Sequence, residues 1–332
     1  MKAICVTPSR ELEVREIPAP VEPAPGHVLV DMTAAAINHG DKTFLRQPGA
    51  AGVALAATRH DVWGASGAGT VAAVGAGVPA RYLGRQVAAY RSLGRSADSL
   101  GLWCERAQMP YTNCLILPDA VPARDYCGSL VNVVTAHAFL EEIVAAGHRG
   151  VIATAGNSAT GLALAALARR RGLPAILLVR SAAARDALRL RGIEHVLATG
   201  EAGFTDALAD LSARFAATAV FDGVGGALVG AIAPSLPAST TLYFYGFLGG
   251  AEPVAFPSAL FMMKNFVMRR FSNFESATVK APGRLEAALG LLEGVIDDPL
   301  FATRQGETFR FEQIEAAMAY APADASKAIL VP

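Results

Sequence analysis

The feature that most constrains the fold is a run of apolar strands that alternate with Ala-, Leu- and Arg-rich helical stretches between residues 149 and 250. Short apolar segments separated by helical segments are typical of a parallel β-sheet whose strands are joined by crossover helices. The predicted strands are 151–154, 175–179, 195–197, 219–221 and 241–245. The middle of the chain is therefore predicted to be an α/β domain of the Rossmann type.

The first 118 residues have a different pattern, in which short β segments are separated by glycine and proline. This spacing predicts a compact, mostly antiparallel β domain. A helix at 128–146 would lead into the α/β domain, and a helix at 282–294 and a strand at 328–331 would follow it. The simplest arrangement is an α/β domain of residues 121–259 inserted into a catalytic domain built from residues 1–120 and 260–332.

The overall charge and the distribution of apolar residues exclude several classes of protein. Lys and Arg together number 29, as do Asp and Glu, so a basic nucleic-acid surface is not expected. No run of about 18 apolar residues predicts a membrane span, and the apolar start is too short for a signal peptide. The four cysteines lack CxxC spacing. We expect a cytoplasmic protein with reduced thiols.

The segment after the first predicted parallel strand is a turn of small residues that opens a helix, from Ala155 through Ser158 to Gly161. Small side chains let the backbone approach a pyrophosphate, and the amides at a helix N-terminus bind its charge. The usual G-x-G-x-x-G is absent, and A-x-x-S-x-x-G takes its place. Such a turn is also compatible with an α/β domain that binds no nucleotide.

The next predicted strand ends about twenty residues later, where an acidic residue would bind the ribose 2′-hydroxyl of NAD. Arg180 and Ser181 stand there instead, and Arg185 follows one helical turn later. A cation and a hydroxyl suit a 2′-phosphate, so the pattern predicts NADPH rather than NADH. The alternative is that both arginines are solvated residues at the flank of a helix.

Two further glycine-containing segments follow predicted strands, at 222–226 and 245–247, where a ligand of an open parallel sheet would bind. Together with residues assigned below by resemblance, they complete the predicted cofactor site. The predicted cofactor-binding residues are Asn38, Thr135, Ala155, Gly156, Asn157, Ser158, Ala159, Thr160, Gly161, Arg180, Ser181, Arg185, Gly223, Val224, Gly225, Tyr245, Gly246, Phe247 and Lys327.

Seven segments in a fixed order carry a family resemblance that extends over essentially the whole chain. They are 1–4 (MKAI), 35–41 (AAINHGD), 67–75 (GAGTVAAVG), 132–137 (NVVTAH), the turn at 155–161, 220–226 (VFDGVGG) and 327–332 (KAILVP). The sequence resembles the medium-chain dehydrogenase/reductase superfamily, in its zinc-free quinone oxidoreductase and 2-enoyl-thioester reductase branch. The resemblance implies a GroES-like catalytic domain around the Rossmann domain, and an NADPH-dependent enzyme.

The resemblance also implies that no catalytic zinc is bound. Zinc-dependent relatives have a Cys where Asn38 stands and Gly-His-Glu where Gly64, Ala65 and Ser66 stand, and there is no Cys near Asn132. These residues cannot supply the three N, S or O ligands that a catalytic zinc needs. Hydride transfer from NADPH would then require an acceptor that is already electrophilic, which is an α,β-unsaturated carbonyl, an enoyl thioester or a quinone.

The predicted catalytic residues are Asn38 and His39. By resemblance, Asn38 would hydrogen-bond the cofactor or a developing oxyanion, Thr135 would lie by the nicotinamide, and Lys327 could reach a cofactor phosphate. The reductases carry a tyrosine associated with protonation, but Ala50 stands at that position. His39, which titrates near neutrality, could donate the proton instead, or could simply cap a turn.

Two other functions remain compatible with the sequence. The lost tyrosine would suit a biosynthetic accessory enzyme that performs a non-redox step such as cyclisation, and the scaffold could also bind NADPH without catalysis. The acceptor cannot be named, because the loops at 47–61 and 91–101 carry little chemical information. Relatives commonly pair through the edge of the nucleotide sheet, so a homodimer through residues 242–246 is expected.

Overall fold

The computed structural model describes residues 1–46, 58–250, 252–322 and 324–332. In them the chain forms two compact units, Met1–Val134 with Ala281–Pro332, and Thr135–Lys280. Both boundaries lie later in the chain than the divisions predicted after residues 120 and 259. The first boundary falls inside a long helix, because the segment that links the units is itself helical.

The strands are β1 (Lys2–Val6), β2 (Leu12–Glu16), β3 (His27–Ala36), β4 (Ser66–Val74), β5 (Gln86–Tyr90), β6 (Arg106–Pro110), β7 (Cys114–Ile116), β8 (Val151–Ala153), β9 (Ala175–Val179), β10 (Val196–Ala198), β11 (Ala219–Asp222), β12 (Thr241–Phe244), β13 (Val267–Arg270), β14 (Gln305–Arg310) and β15 (Lys327–Val331). The helices are α1 (His39–Arg46), α2 (Leu130–Ala145), α3 (Ala159–Arg170), α4 (Ala182–Leu190), α5 (Phe204–Arg214), α6 (Ala227–Ile232), α7 (Ser258–Met263), α8 (Ala277–Lys280), α9 (Arg284–Glu293) and α10 (Ile314–Ala319).

The first unit contains a sheet in the order β14-β15-β3-β4-β5-β7, with β6 also pairing β3. All of its pairings are antiparallel except that between β14 and β15, as the Gly- and Pro-punctuated sequence predicts. Alternate residues of β3 to β5 pack into an apolar core that includes Val28, Val87 and Leu102. Truncating one such side chain to alanine typically costs 2–5 kcal/mol.

The pairing register of this sheet brings distant segments to one edge. Ser66 at the start of β4 pairs with Tyr90 at the end of β5, and Ala36 at the end of β3 pairs with Ile329 of β15. The turn after β3 continues this pairing, because the amide of Ile37 donates to the carbonyl of Ala328. Residues just beyond these strand ends therefore become neighbours, although nearly 290 positions separate the first from the last.

The second unit contains a parallel sheet in the order β10-β9-β8-β11-β12-β13, which confirms the predicted α/β class. The sixth strand was not predicted, and it lies beyond residue 259. The predicted edge at 242–246 was wrong, because β12 lies between β11 and β13 and the edge strand is β13. The exposed apolar and charged side chains of β13 lack the continuous apolar run of a buried parallel strand, so its sequence gave a weak strand signal. No helix in the described parts of the chain is long and apolar enough to cross a membrane.

Candidate functional site

The carboxamide of Asn38 is the centre of a hydrogen-bond network in the first unit. Its Nδ2 donates to the hydroxyl of Ser66 at 2.7 Å and to Oδ2 of Asp41 at 3.1 Å, and its Oδ1 accepts from the Lys327 ammonium at 2.6 Å. An amide nitrogen has two hydrogens, so both donors of Asn38 are used within the protein. The predicted donation from Asn38 to a cofactor or oxyanion would therefore need one of these bonds to break.

Asp41 organises this network from the first turn of α1. Its Oδ2 accepts from the main-chain amide of Asn38 at 2.8 Å, and its Oδ1 accepts from the amide of Ala65 at 3.0 Å. The side chain is buried. Burial raises the pKa of Asp41, while its hydrogen bonds and the charge of Arg91 act in the opposite direction. Asp41 therefore both orders the turn that contains Asn38 and connects it to Ala65, just before β4.

Lys327 brings a positive charge to the same cluster. Besides Asn38, its ammonium contacts the carbonyl of Gly128 at 3.2 Å. Burial lowers the pKa of Lys327 to about 8, and Cys127 and Asp41 oppose this shift. At neutral pH the ammonium form still predominates, so the group is a cation held beside Asn38.

His39 lies next to Asn38 on the accessible side of α1. Loss of hydration, followed by the nearby Lys42 ammonium, lowers the pKa of His39 below its ordinary value. The imidazole is therefore mainly neutral at pH 7, a state that does not favour donation of a proton. Ala50, at the position of the missing tyrosine, lies outside the described residues.

The turn at residues 155–161, which is predicted to bind a nucleotide, has the structure that its residue sizes suggest. Ser158 caps the N-terminus of α3, accepting from the amide of Gly161 at 3.0 Å and donating to the carbonyl of Ala155 at 2.7 Å. A β-carbon at Gly156 would lie 2.8 Å from Cβ of Leu177, and one at Gly161 would overlap the carbonyl of Ala155. The backbone can approach its neighbours this closely only because these residues are glycine.

The neighbouring strand end is held by Asp222, which sequence reasoning missed. This buried carboxylate accepts from the Thr154 hydroxyl at 2.5 Å and from the amide of Gly225 at 2.8 Å. Burial raises its pKa. Tyr245 stacks on Phe221, with ring centroids 3.9 Å apart, and its hydroxyl is hydrogen-bonded to Ser158. Tyr245 thus supports the turn through its hydroxyl.

The two predicted phosphate-binding arginines differ in their surroundings. Arg180 is exposed at the end of β9, and Ser181 after it caps α4 by accepting from the amide of Ala184 at 3.2 Å. Arg185 is engaged in ion pairs with Asp186, at 2.8 Å, and with Glu201. Among the described residues the Arg180 guanidinium forms no hydrogen bond or ion pair, so it is the more available cation.

Thr135 and Phe247, two further residues predicted to bind the cofactor, have different surroundings from the aromatic residues of the core. The hydroxyl of Thr135 accepts from Nδ2 of Asn273 at 2.8 Å, and the side chain of Phe247 is exposed. The aromatic side chains of Tyr243, Phe266 and Phe271, by contrast, are buried in the core of the second unit. Their apolar pattern is that of core residues, which sequence alone could not distinguish from a cleft lining.

The residues of the second unit fit a dinucleotide. Gly156 and Gly161 leave room only for backbone, Ser158 starts a twelve-residue helix, and Arg180 offers a cation at the neighbouring strand end. Backbone amides and a helix N-terminus bind pyrophosphate in this arrangement. Within the described ranges, no group of three His, Cys, Asp or Glu residues could hold a metal ion.

Comparison with known proteins identifies the first unit. The alcohol dehydrogenase GroES-like domain matches residues 24–138. The human synaptic vesicle membrane protein VAT-1 homolog is 27% identical over 215 residues, which are 63% of this chain and 50% of that protein. The chain therefore spans about half the length of the curated relatives that it matches.

Solved structures agree over the whole chain. A mycobacterial quinone oxidoreductase has a TM-score of 0.75 at 24% identity, covering 100% of both chains. The Escherichia coli quinone oxidoreductase, solved in complex with NADPH, has a TM-score of 0.73 at 18% identity, covering 100% of this chain and 99% of that one. These structures confirm the predicted fold, which combines a GroES-like domain with a parallel-sheet domain.

Proposed function

We propose that this chain, as a relative of the zinc-free quinone oxidoreductases, is an NADPH-dependent reductase of α,β-unsaturated carbonyl compounds, enoyl thioesters or quinones. The observation that carries the proposal is the strand–turn–helix at Ala155–Gly161, where glycine is required twice, together with the exposed Arg180 at the neighbouring strand end. The NADPH found in the Escherichia coli relative supports the choice of cofactor.

The proposed cofactor site lies in the second unit. The amides at the start of α3 would bind the pyrophosphate, and Arg180 with Ser181 would bind the 2′-phosphate. Gly223, Val224, Gly225, Gly246 and Phe247 line the neighbouring strand ends, and Thr135 is held by Asn273. When bound, NADPH supplies a hydride that an electron-poor acceptor takes up together with one proton, leaving NADP⁺.

The cluster around Asn38 is the proposed acceptor site. Lys327 fixes the orientation of the Asn38 amide and keeps a positive charge beside it, which stabilises negative charge on an acceptor oxygen. His39 is the proposed proton donor. Because its pKa is lowered, donation by His39 would make the rate rise as pH falls below about 6.5, whereas protonation by solvent would not depend on this residue.

NADPH oxidation, followed by the absorbance of the reduced nicotinamide, tests the proposal. The acceptors are 1,4-benzoquinone, a simple enone and crotonyl-CoA, and product formation is measured in parallel. We expect oxidation with at least one acceptor in stoichiometric yield, and loss of the acidic rise in rate in His39→Ala. NADPH binding without oxidation by any acceptor would instead support a non-catalytic protein, and substrate conversion without NADPH oxidation would support a non-redox enzyme.

We also propose that the protein acts on a small molecule as a cytoplasmic homodimer. The four cysteines are free thiols, as expected in a reducing compartment. The edge strand β13 exposes Val267 and Met268, and unpaired strand edges favour pairing with a second copy. Met268→Glu should shift the protein to a monomer in multi-angle light scattering, and an unchanged mass would refute pairing through β13.

A further inference from the structure

Arg91 is a buried arginine whose Nη2 has no hydrogen-bond partner among the described residues. Its main chain is well held, because its amide donates to the carbonyl of Ala65 at 3.0 Å and its carbonyl accepts from Nδ2 of Asn113 at 2.6 Å. The residue is only 6% exposed, and its Nη2 is fully buried without a hydrogen-bond partner. In the described part of the chain, no ion pair to its guanidinium is found.

This environment is unusual for a guanidinium. The group has five N–H donors and stays charged, and leaving a buried charge unpaired costs several kcal/mol. Other arginines of the same unit form ion pairs: Arg81 with Glu293 and Arg106 with Asp31. Arg85 also has a buried nitrogen, Nε, without a hydrogen-bond partner, but its Nη2 pairs with Asp119. Arg91 is thus positioned at a cost to stability, as expected of a residue whose partner is a ligand.

The buried charges nearby do not neutralise Arg91. Asp41 is close enough that the two groups shift each other's pKa, but both of its oxygens already accept hydrogen bonds from Asn38 and Ala65. Lys327 adds a second cation to the same cluster. Two cations therefore surround one carboxylate, and this arrangement favours an anion.

The guanidinium is close to the proposed acceptor site, because it interacts electrostatically with Asp41. Arg91 follows β5 directly and is bonded through its main chain to Ala65, the residue that stands where zinc-dependent relatives place a histidine. Ala65 in turn donates to Asp41, which holds Asn38. Three hydrogen bonds, through Ala65 and Asp41, therefore connect the main chain of Arg91 to Asn38, which Lys327 orients.

We propose that Arg91 binds a carboxylate of the acceptor, so that the substrate of this reductase is an unsaturated carbonyl compound that carries a carboxylate. A planar guanidinium offers a carboxylate two parallel hydrogen bonds, which fixes both the position and the orientation of the ligand. A quinone or a neutral enone would leave the buried charge unpaired and would be bound less well. This inference rests on the proposed function, whose acceptor site it specifies.

The kinetic test compares 4-oxopent-2-enoate with its methyl ester, two acceptors with the same enone and different charge. In the wild type, kcat/KM should be at least ~30-fold higher for the acid, which corresponds to about 2 kcal/mol. In Arg91→Met the acid should lose this advantage, mainly through KM, while kcat/KM for the ester changes less than ~3-fold. Arg91→Lys should recover part of the preference, because a lysine keeps the charge but not the bidentate geometry.

Arg85→Met is the matched control, since it removes another arginine from the same sheet whose partner is within the protein. It should leave the acid-to-ester ratio unchanged. If circular dichroism shows that Arg91→Met is unfolded, the proposal is still tested by the acid-to-ester ratio of kcat/KM in the wild type and in Arg91→Lys. Equal kcat/KM values for acid and ester in the wild type, or parallel losses for both in a folded Arg91 variant, would overturn the proposal while leaving the reductase function intact.

Binding of 4-oxopentanoate, which cannot be reduced at a conjugated bond, gives a readout that does not need turnover. Isothermal titration should show binding to the wild type and at least ~10-fold weaker binding to Arg91→Met, as expected for loss of a charged hydrogen-bond pair. Binding that survives in Arg91→Met, or that inorganic phosphate abolishes at lower concentration, would overturn the carboxylate assignment. Arg91-dependent binding without NADPH oxidation by any acceptor would refute the proposed function but not this site.

Discussion

The two candidate sites of this protein are built in opposite ways. At the nucleotide turn of the second unit, the capping bonds of Ser158 run to residues three positions away, Gly161 and Ala155, and the essential residues are small. At the Asn38 cluster of the first unit, the bonds between Asn38 and Asp41 are local. The bonds from Asn38 to Ser66 and from Lys327 to Asn38 join segments far apart in the chain, and the essential atoms belong to side chains.

The charges differ as much as the bonds. The nucleotide turn offers one exposed cation, Arg180, whereas the Asn38 cluster contains the buried charges of Asp41 and Arg91 and the partly buried charge of Lys327. Charges out of water interact strongly and are costly to leave unpaired, while exposed charges are screened. Side-chain changes should therefore have large, coupled effects at the acceptor cluster and small, separable effects at the nucleotide turn. Three substitutions test this contrast.

The largest effect is expected for Asp41→Asn. The amide cannot accept from both Asn38 and Ala65 in the present orientation, and it leaves Arg91 and Lys327 without a balancing charge. We expect the free energy of unfolding of the first unit to fall by about 3–5 kcal/mol, the range for breaking a buried charge network. Urea denaturation followed by circular dichroism measures this change.

Asp31→Asn is the control for that substitution. Asp31 is an exposed carboxylate of β3 that pairs with Arg106, so its loss should cost less than about 1 kcal/mol. Similar losses of unfolding free energy in Asp41→Asn and Asp31→Asn would mean that the buried charges interact no more strongly than the exposed ion pair of Asp31 and Arg106.

An intermediate effect is expected for Lys327→Met. The variant removes the cation that orients Asn38, and kcat/KM for the acceptor should fall by roughly 10- to 100-fold, as for loss of one charged hydrogen bond in an active site. In the wild type, kcat/KM should fall as pH rises through about 8, because the ammonium loses its proton there.

The pH profile separates this role from simple packing. Lys327→Arg keeps the positive charge to high pH, so its profile should lack the alkaline decline, while Lys327→Met should be low and flat over the same range. Since the pKa is lowered in the folded state, the unfolded chain retains its proton in the window above pH 8, and the contribution of Lys327 to stability rises with pH there. An alkaline decline that persists in Lys327→Arg would assign it to another group.

The smallest effect is expected for Arg180→Ala. Removing an exposed cation should lower the preference for NADPH over NADH by about 10-fold, the lower end for a charged hydrogen bond. Arg185→Ala should change the preference less than ~3-fold, because Asp186 and Glu201 already occupy this guanidinium. Dissociation constants from nicotinamide fluorescence check both variants, and equal effects would place the 2′-phosphate at Arg185 as well.

The sequence by itself determined the α/β class, the positions of five parallel strands along the chain and the small-residue turn at 155–161. These features depend on local periodicity and on glycine at fixed offsets from a strand, so they are visible in a single window of the chain. The sixth strand, β13, was not determined, because an exposed edge strand lacks the apolar run that marks a buried one. That error also misplaced the sheet edge through which a dimer was predicted.

The tertiary structure alone decided how the acceptor cluster is composed. Asn38, Ser66, Arg91 and Lys327 follow or begin strands that the sheet register aligns, and nothing in their local sequence indicates that they meet. The resemblance named Asn38 and Lys327 as site residues. It did not predict that both amide hydrogens of Asn38 are already hydrogen-bonded, that Nη2 of Arg91 has no described hydrogen-bond partner, or that the pKa of Lys327 is lowered. Local structure follows from local sequence, whereas burial and charge pairing depend on which distant residues the fold brings together.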